Sequence, residues 1–231
     1  MADHETRPTT VWSRPERGAR GPAPERSRPQ ITEAALALAD TEGLAAVSMR
    51  ALAQRLGTGP ASLYRYVGSR DELLDLMADA VAGELDLCAA PEGDWLDALV
   101  GLALQSKAAH VRHPWLAELN DRRGEVLGPH AIDYLDHALG ILAPAPGTSG
   151  RKLEALGLLG GMVTLFARRE AAATTADTGP AARAAHLAAA ATEGRHPHLL
   201  AALAAAGAPP SADQDALFER LLRRLLPAML G

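Results

Sequence analysis

The apolar positions of the chain recur with helical spacing almost throughout. The first stripe has the i, i+3, i+4, i+7 spacing that places side chains on one face of an amphipathic helix, and its members are Ile31, Ala34, Ala35 and Leu38. Comparable stripes follow in 73–81, 96–104 and 217–226. Alanine and leucine, the best helix formers, dominate, while the β-branched and aromatic residues that favour strands are few. The pattern therefore predicts an all-α protein.

Capping residues and helix breakers divide this pattern into separate helices. Ser and Asp side chains accept hydrogen bonds from the free N–H groups at a helix start, Pro fits the first helical turn, and Gly favours helix ends. The residues predicted to open helices are Ser27, Ser48, Pro60, Ser69, Asp94, Pro129, Ser149 and Ser211. Weak alanine-rich helices are predicted over 181–192 and after His198, whereas 115–127 and 174–179 are expected to be irregular.

Charge and proline content divide the chain into three parts. The net charge is −5, which excludes a globally basic nucleic-acid-binding protein. The positive charge is concentrated at the start, because residues 1–70 hold ten Arg and seven acids. We predict a disordered arm over 1–27, a short helical domain over 28–75 and a larger helical bundle over 76–231. The arm carries Arg7, Arg14, Arg17, Arg20 and Arg26, which either contact DNA or form an inert solvated tail.

Other features of the sequence narrow the expected class of protein. A single cysteine, Cys88, cannot form an intramolecular disulfide and is interpreted as a small buried hydrophobe. The first residues lack the basic and apolar regions of a secretory signal, and we find no apolar stretch long enough to span a membrane. We therefore expect a soluble cytoplasmic protein that does not contact a membrane.

The segment 49–66 is the most informative part of the chain. Two short helices, 49–56 and 60–66, are separated only by Gly57, Thr58 and Gly59, which is the arrangement of a helix-turn-helix. In such units the second helix enters the major groove with its first residues towards the bases. We expect DNA contacts from the start of that helix, from its polar side chains and from the next helix start: Pro60, Ala61, Ser62, Tyr64, Arg65, Tyr66 and Arg70. A helical hairpin of purely structural role remains the alternative.

Residues 31–81 resemble the DNA-binding domain of TetR-family transcriptional regulators. The segments that carry the resemblance are 35–44, 48–53, 56–57, 62–67 and 70–74. The resemblance implies a homodimeric, ligand-responsive repressor that binds palindromic half-sites of a double-stranded DNA operator. Residues 28–75 would then be the helix-turn-helix DNA-binding domain, and 76–231 the ligand-binding and dimerisation domain. It also implies DNA contacts at Ser48, Arg50, Thr58, Gly59, Pro60, Ala61, Ser62, Tyr64, Arg65, Tyr66 and, as a Lys-to-Arg replacement, Arg70. Because Gly59, Pro60 and Ala61 offer almost no side-chain donors, direct readout by these positions is expected to be sparse.

The second half resembles the C-terminal domain of the tetracycline-repressor branch of that family. The resemblance rests on 113–116, 127–129 and the glycine-rich helix around 157–166. It implies a small-molecule effector, but Val126 occupies the place of a histidine that binds the drug's magnesium, so tetracycline itself is disfavoured. We expect no cofactor and no metal site. The predicted ligand-binding residues are Trp115, Asn120, Tyr134, His137, Met162, Thr164, Phe166 and Arg168, each with ordinary core or interface packing as the alternative.

The glycine-rich helix and the last helix are the predicted dimer interface. Glycines at i and i+4, Gly157 and Gly161, would let another helix approach closely, either from a second copy or within the chain. The residues assigned to the interface are Leu153, Gly157, Gly161, Leu217, Phe218, Leu221 and Leu225.

Two other functional classes remain open at this stage. One is a small-molecule-binding helical protein or enzyme whose hairpin is structural, although the sequence contains no nucleophile elbow, phosphate-binding glycine loop or His-Glu-x-x-His motif. The other is an architectural DNA-binding protein without ligand control, which would leave the large helical bundle without a role.

Overall fold

The computed structural model of the chain describes residues 10–13, 26–88, 94–123, 126–175, 179–192, 195–206 and 213–231. Across these residues it is helical and contains no strand, so the predicted all-α fold is confirmed. The helices are α1 (Arg28–Glu42), α2 (Met49–Arg55), α3 (Pro60–Leu63), α4 (Arg70–Ala82), α5 (Trp95–Arg112), α6 (Trp115–Arg123), α7 (Pro129–Ile141), α8 (Ser149–Thr175), α9 (Gly179–Thr192), α10 (Pro197–Ala206) and α11 (Gln214–Leu230). None of these described helices is long and apolar enough to cross a bilayer.

Most of the predicted capping residues occupy their expected positions. Ser27 and Gln30 form a complete capping box, in which each side chain accepts a hydrogen bond from the other residue's backbone N–H. The hydroxyls of Ser48 and Ser69 accept from the N–H groups of Ala51 and Glu72 at the starts of α2 and α4, without the reciprocal bond. At α4 the carboxylate of Glu72 accepts from the N–H of Gly68 (2.8 Å). The N–H groups at these helix starts are therefore satisfied largely by local side chains, as the sequence indicates.

Three predicted boundaries are wrong. Residues 115–123, expected to be irregular, form α6, because Trp115, Leu116 and Leu119 bury one face of it. The long helix continues to Thr175, and its first turn is bonded to Thr148, whose hydroxyl accepts from the N–H of Arg151 (3.4 Å). The last helix is capped by Asp213, whereas Ser211 lies outside the described residues.

The interpretation of Cys88 as a buried hydrophobe is also wrong, because the residue is exposed in the structure.

The described helices enclose two hydrophobic cores. The N-terminal core is centred on the fully buried Leu52, Leu63 and Met77, and it brings together α1 to α4 and α6. The C-terminal core is formed by α5, α7, α8 and α11, where the rings of Phe166 and Phe218 pack with centroids 5.1 Å apart. Because α4 contributes several residues to the N-terminal core and also packs against α7, it connects the two halves of the molecule.

The predicted arm differs from expectation at both of its described pieces. Residues Val11–Ser13 form a 3-10 turn against α4, and Val11 is only 1% exposed. Arg26 donates a hydrogen bond from its guanidinium to the carbonyl of Leu56 (2.6 Å) at the end of α2. The disordered arm is therefore wrong for these residues, because apolar burial and a helix end provide partners for them. Arg7, Arg14, Arg17 and Arg20 lie outside the described residues.

Candidate nucleic-acid interface and ligand pocket

Helices α2 and α3 form the predicted helix-turn-helix. Leu52 and Leu63 are fully buried between them and anchor the unit in the N-terminal core. The turn depends on Gly57, whose φ of +65° is a left-handed conformation that glycine adopts without strain. After Leu63 the chain continues in hydrogen-bonded turns rather than a regular helix up to Tyr66. The second helix is therefore shorter than predicted, but the same residues remain on its outer side.

The outer surface of this unit carries several of the predicted DNA-contacting residues. Tyr64 is 52% exposed, and the other exposed members of the set are Arg50, Gly59, Pro60, Ala61 and Arg65. Ser48, Thr58 and Ser62 are half-buried at its edge. An exposed phenol and an exposed guanidinium on adjacent residues can both contact phosphate or base edges without a change in the fold of the hairpin.

Arg70 and Tyr66 have structural partners that sequence reasoning missed. The guanidinium of Arg70 donates to the carbonyls of Val47 (2.7 Å) and Leu44 (3.0 Å). Tyr66 is half-buried against the N-terminal core, and its carbonyl accepts from Nε of Arg28 (3.0 Å). Both residues therefore stabilise the three helices α1–α3, which carry the helix-turn-helix and are here called the reading unit. Their contact with DNA stays a prediction. No pattern in the sequence indicates which carbonyls a long side chain will reach.

A cavity of about 330 Å³ lies between α4, α5, α6, α7 and α8, and it is here called the ligand pocket. Most of its wall is aliphatic. The lining residues are Ala78, Val81, Ala82, Leu85, Ser106, Ala109, His110, Leu116, Asn120, Val126, Leu127, Ala131, Tyr134, Leu135, Leu153, Leu156, Gly157 and Gly160. A mostly apolar cavity with a few polar groups is what small-molecule sites share.

Asn120 and Tyr134 are the predicted ligand-binding residues that line this pocket. Trp115 is instead buried in the N-terminal core with its indole N–H bonded to Asp40 (2.7 Å). Arg168 is exposed and pairs with Asp121 (2.8 Å). The remaining predicted residues, His137, Met162, Thr164 and Phe166, lie outside the lining. Helical periodicity marks apolar faces, but it does not indicate which of them face a cavity.

His110 and Ser106 are polar pocket residues that the sequence analysis did not assign to ligand binding, and His110 is the one with a buried, unpartnered atom. Its Nδ1 lies 2.9 Å from the carbonyl oxygen of Ser106 one helical turn earlier. Its Nε2 is buried without a hydrogen-bond partner among the described residues. Burial lowers the pKa of this imidazole below its ordinary value, an effect that the bond to Ser106 opposes and the nearby His113 reinforces.

Helix α4 contributes to both the N-terminal core, which holds the reading unit, and the wall of the ligand pocket. Leu73, Leu74 and Met77 are buried in the N-terminal core. Further along the helix, Ala78 and Val81 line the pocket and also contact the N-terminal core. A molecule in the pocket therefore contacts the same helix on which the helix-turn-helix is packed.

The carboxylate of Asp79 connects α4 to the start of α7. It is 4% exposed, accepts from the N–H of Ala131 (3.0 Å) and lies 3.0 Å from Nδ1 of His130. A buried carboxylate needs such partners, because an unpaired charge in a low-dielectric interior is unfavourable. The contact joins α4 to α7, which forms another wall of the pocket.

The predicted interface residues divide into exposed and buried sets. Phe218 is fully buried in the C-terminal core, so its assignment to a dimer contact is wrong. Leu217 and Leu221 are half-buried against the same core, while Leu225 is 40% exposed. Leu153 and Gly157 are exposed and also line the pocket, and Gly161 is exposed. The structure adds exposed leucines on α8 that the sequence analysis did not name, Leu158 and Leu165.

Gly157 and Gly161 do not serve a helix crossing within the described part of the chain. A Cβ atom added at Gly157 or at Gly161 would meet nothing within 4 Å. The close approach that their spacing allows is therefore not used by another described helix of the same chain.

Both halves of the chain match profiles of one protein family. Residues 31–77 match the family described as bacterial regulatory proteins, tetR family, and residues 87–230 match the tetracyclin repressor-like C-terminal domain. The HTH-type transcriptional repressor DrrR1 of Streptomyces coeruleorubidus is 39% identical over 161 residues, which is 69% of this chain. That match spans 59% of the relative, so the chain accounts for about three fifths of the length of this curated protein.

Solved structures of a second regulator are similar over nearly their whole length. Apo ActR from Streptomyces coelicolor is 30% identical, with a TM-score of 0.74 over 91% of this chain and 97% of that chain. The complex of ActR with actinorhodin is 29% identical, with a TM-score of 0.73 over 89% and 96% of the two chains. These similarities cover the reading unit and the helices around the pocket together.

Proposed function

The chain belongs to the TetR family of transcriptional regulators, and we propose that it is a homodimeric repressor that releases its operator when a small molecule occupies the ligand pocket. The observation that carries this proposal is the placement of α4, which packs in the N-terminal core and lines the pocket. DrrR1 is described as a repressor, and ActR has been solved with actinorhodin bound, which supports both parts of the proposal.

The proposed switch acts through α4, one end of which lines the pocket while the other packs against the reading unit. A ligand shifts a conformational equilibrium only by as much as it prefers one state. An effector that fits the pocket best when Val81 and Ala82 move would displace the N-terminal end of the same helix, to which Leu73 and Met77 attach the reading unit. A rigid helix transmits such a shift over its 13 residues.

Release from DNA follows if two reading units must fit the operator together. In a twofold dimer the second helices of the two units would enter successive major grooves about 34–36 Å apart. A small rotation of each unit changes that separation and breaks contacts on both half-sites at once. A monomeric reading unit would lack this amplification, so the proposal requires a dimer.

The dimer is assigned to the exposed apolar faces of α8 and α11. Leu158 and Leu165 are 45% and 54% exposed, and Gly161 lies between them. On α11, Leu225 is 40% exposed. Exposed apolar side chains next to glycines with open space above them are suited to a second pair of helices, and a twofold axis would pair the same patch with itself.

DNA binding is tested with a labelled fragment of the DNA upstream of the chain's own coding sequence. We expect a protected palindrome in a footprint and salt-dependent binding in fluorescence anisotropy. Tyr64→Ala and Arg65→Ala should each weaken binding by about 1–3 kcal/mol while leaving the circular dichroism spectrum unchanged, because both residues are exposed. Arg151→Ala, an exposed arginine on α8, is the matched control and should bind normally.

Two results would contradict the DNA-binding assignment. Unchanged affinity in the Tyr64 and Arg65 variants would make the hairpin a structural element. Equal affinity for the upstream fragment and for unrelated DNA would indicate an architectural DNA-binding protein without an operator.

The dimer is tested by Leu158→Arg and Leu165→Arg. Each introduces a charge into the proposed interface, so we expect monomers in analytical ultracentrifugation and a large loss of operator affinity. Ile132→Arg on α7 is the matched control, since Ile132 is 53% exposed but is not part of the proposed interface. Dimers of unchanged stability in both α8 variants would refute the assignment.

A further inference from the structure

We propose that the effector is an uncharged, mainly apolar molecule of two or three rings that donates a hydrogen bond from a hydroxyl or N–H group to Nε2 of His110. The inference rests on the proposed function, in which the pocket holds the effector, and adds the chemistry by which the pocket selects it. It follows from the state of His110, the charge of the walls and the volume of the cavity.

The hydrogen bond to Ser106 determines what His110 offers to a ligand. A backbone carbonyl can only accept, so Nδ1, 2.9 Å from the Ser106 oxygen, must carry the ring proton. In a neutral imidazole the other nitrogen, Nε2, then has a lone pair and no proton. This atom is buried and has no partner in the described part of the chain. Since buried polar atoms are nearly always hydrogen-bonded, a donor from the ligand completes the site.

The walls exclude charged ligands. The described lining residues include no Asp, Glu, Lys or Arg. The polar side chains among them are those of Ser106, His110, Asn120 and Tyr134. A carboxylate or an ammonium would enter without a counter-charge, and an unpaired charge is strongly disfavoured in an apolar site. The lining residues of α4 and α8 are apolar, which suits an apolar ring system.

The volume sets the size of the ligand. A dry apolar cavity of about 150 Å³ holds one benzene ring. The ligand pocket, at about 330 Å³, is roughly twice as large. Two or three rings therefore fill it, whereas a single ring would leave much of the lining without contacts.

The inference is tested with three probes that share one ring system. They are 2-naphthol, which donates a hydrogen bond, 2-methoxynaphthalene, which does not, and 2-naphthoate, which is charged. Binding to the full chain is measured by isothermal titration calorimetry at neutral pH without DNA. The wild type is compared with His110→Leu, which removes the acceptor, and His110→Gln, which restores an acceptor oxygen. His186→Leu, at an exposed histidine on α9, is the matched control.

We expect the wild type to bind 2-naphthol about fivefold or more tightly than the methyl ether, and 2-naphthoate most weakly. His110→Leu should bind naphthol and ether equally, while His110→Gln and the control should keep a preference for naphthol. Thermal melting shows whether each variant is folded. If His110→Leu does not fold, the preference of His110→Gln for 2-naphthol over the ether is compared with that of the wild type instead. A preference that survives in His110→Leu, equal binding of 2-naphthoate, or no binding of 2-naphthol by the wild type would overturn the inference.

These results are separate from the test of the proposed function. Operator binding and its dependence on Tyr64 are measured without any probe, so they can stand while the ligand class fails. Conversely, probe selectivity that depends on His110 would stand even if no operator were found.

Discussion

Nδ1 of His113, at the end of α5, lies 2.7 Å from Oδ1 of Asp40 on α1. The other ring nitrogen is 3.0 Å from Oε1 of Glu84, which follows α4, and the same Asp40 oxygen accepts from the indole of Trp115. His113 therefore connects α1 of the reading unit to the end of α5, in addition to the connection that α4 makes between the two halves. Both nitrogens face carboxylates, so one imidazole connects three parts of the fold.

His113→Leu is expected to lower the free energy of unfolding by about 1–3 kcal/mol, because it removes buried hydrogen bonds to charged groups. Urea denaturation measures the change, with exposed His186→Leu as the control. Operator affinity without effector should also fall, since α1 loses a contact that positions the reading unit. A variant as stable as the control would mean that the contact contributes nothing.

Gly128→Ala should destabilise the junction of α4 and α7. A Cβ at this position would collide with the carboxylate of Asp79 and lie 2.5 Å from Cζ2 of Trp12. Asp79 is held by the N–H of Ala131, so it cannot move without losing a buried hydrogen bond. We expect a loss of about 1–3 kcal/mol by denaturation and a shift in tryptophan fluorescence.

The double variant Gly128→Ala with Trp12→Ala separates the two collisions. In the Trp12→Ala background, Gly128→Ala should cost less stability than in the wild type, but it should still be destabilising because the collision with Asp79 remains. If Gly128→Ala has no effect on stability in that background, the collision with Trp12 alone explains the loss.

His110 makes stability depend on pH below neutrality. Burial lowers its pKa in the folded state, so between the folded value and the ordinary value of about 6.5 the unfolded chain binds more protons. The free energy of unfolding therefore rises with pH through this window and loses the contribution of neutral His110 as the pH falls below about 6.5. His113 supports the same direction through its charge.

Unfolding of the wild type and of His110→Gln at pH 7.5 and 5.5 measures this effect. The wild type should lose more stability on acidification than the variant, because glutamine does not titrate. The difference between the two proteins isolates His110 from the other titrating groups. Equal losses would contradict the lowered pKa.

Lys107→Met should weaken the contact between α5, α8 and α11. Lys107 is 3% exposed and forms ion pairs with Glu170 and Asp215. Burial lowers its pKa, but the hydrogen bonds and charges of the two acids outweigh burial and raise it overall. Because the folded pKa lies above its ordinary value, the stabilisation is complete at neutral pH and is lost as the pH rises through the folded value.

We expect Lys107→Met to cost about 1–3 kcal/mol, less than a fully buried pair would, since both acids can regain water. Lys152→Met, at a half-buried lysine bonded to a carbonyl, is the control and should cost less. The reverse order in urea denaturation would refute the structural role of Lys107.

The reading unit was predictable because its signals are local. Ser48, Gly57 and Pro60 act on backbone within one turn of their own positions, so capping and turn chemistry could be derived from residue types. The family resemblance added the DNA contacts, which the structure leaves exposed at Tyr64 and Arg65. Arg70 differs, because its carbonyl partners lie more than 20 residues away in the chain.

The sequence by itself determined most of the helices, the position of the reading unit and the family, since periodicity, caps and motifs depend on neighbouring residues. Only the tertiary structure decided which apolar faces meet each other and which surround a cavity. Phe218 and Leu225 belong to one stripe on α11, yet one is in the core and the other is exposed. His110 could be proposed as a ligand contact only from the structure, because its burial and its place in the pocket wall are properties of the packing between helices.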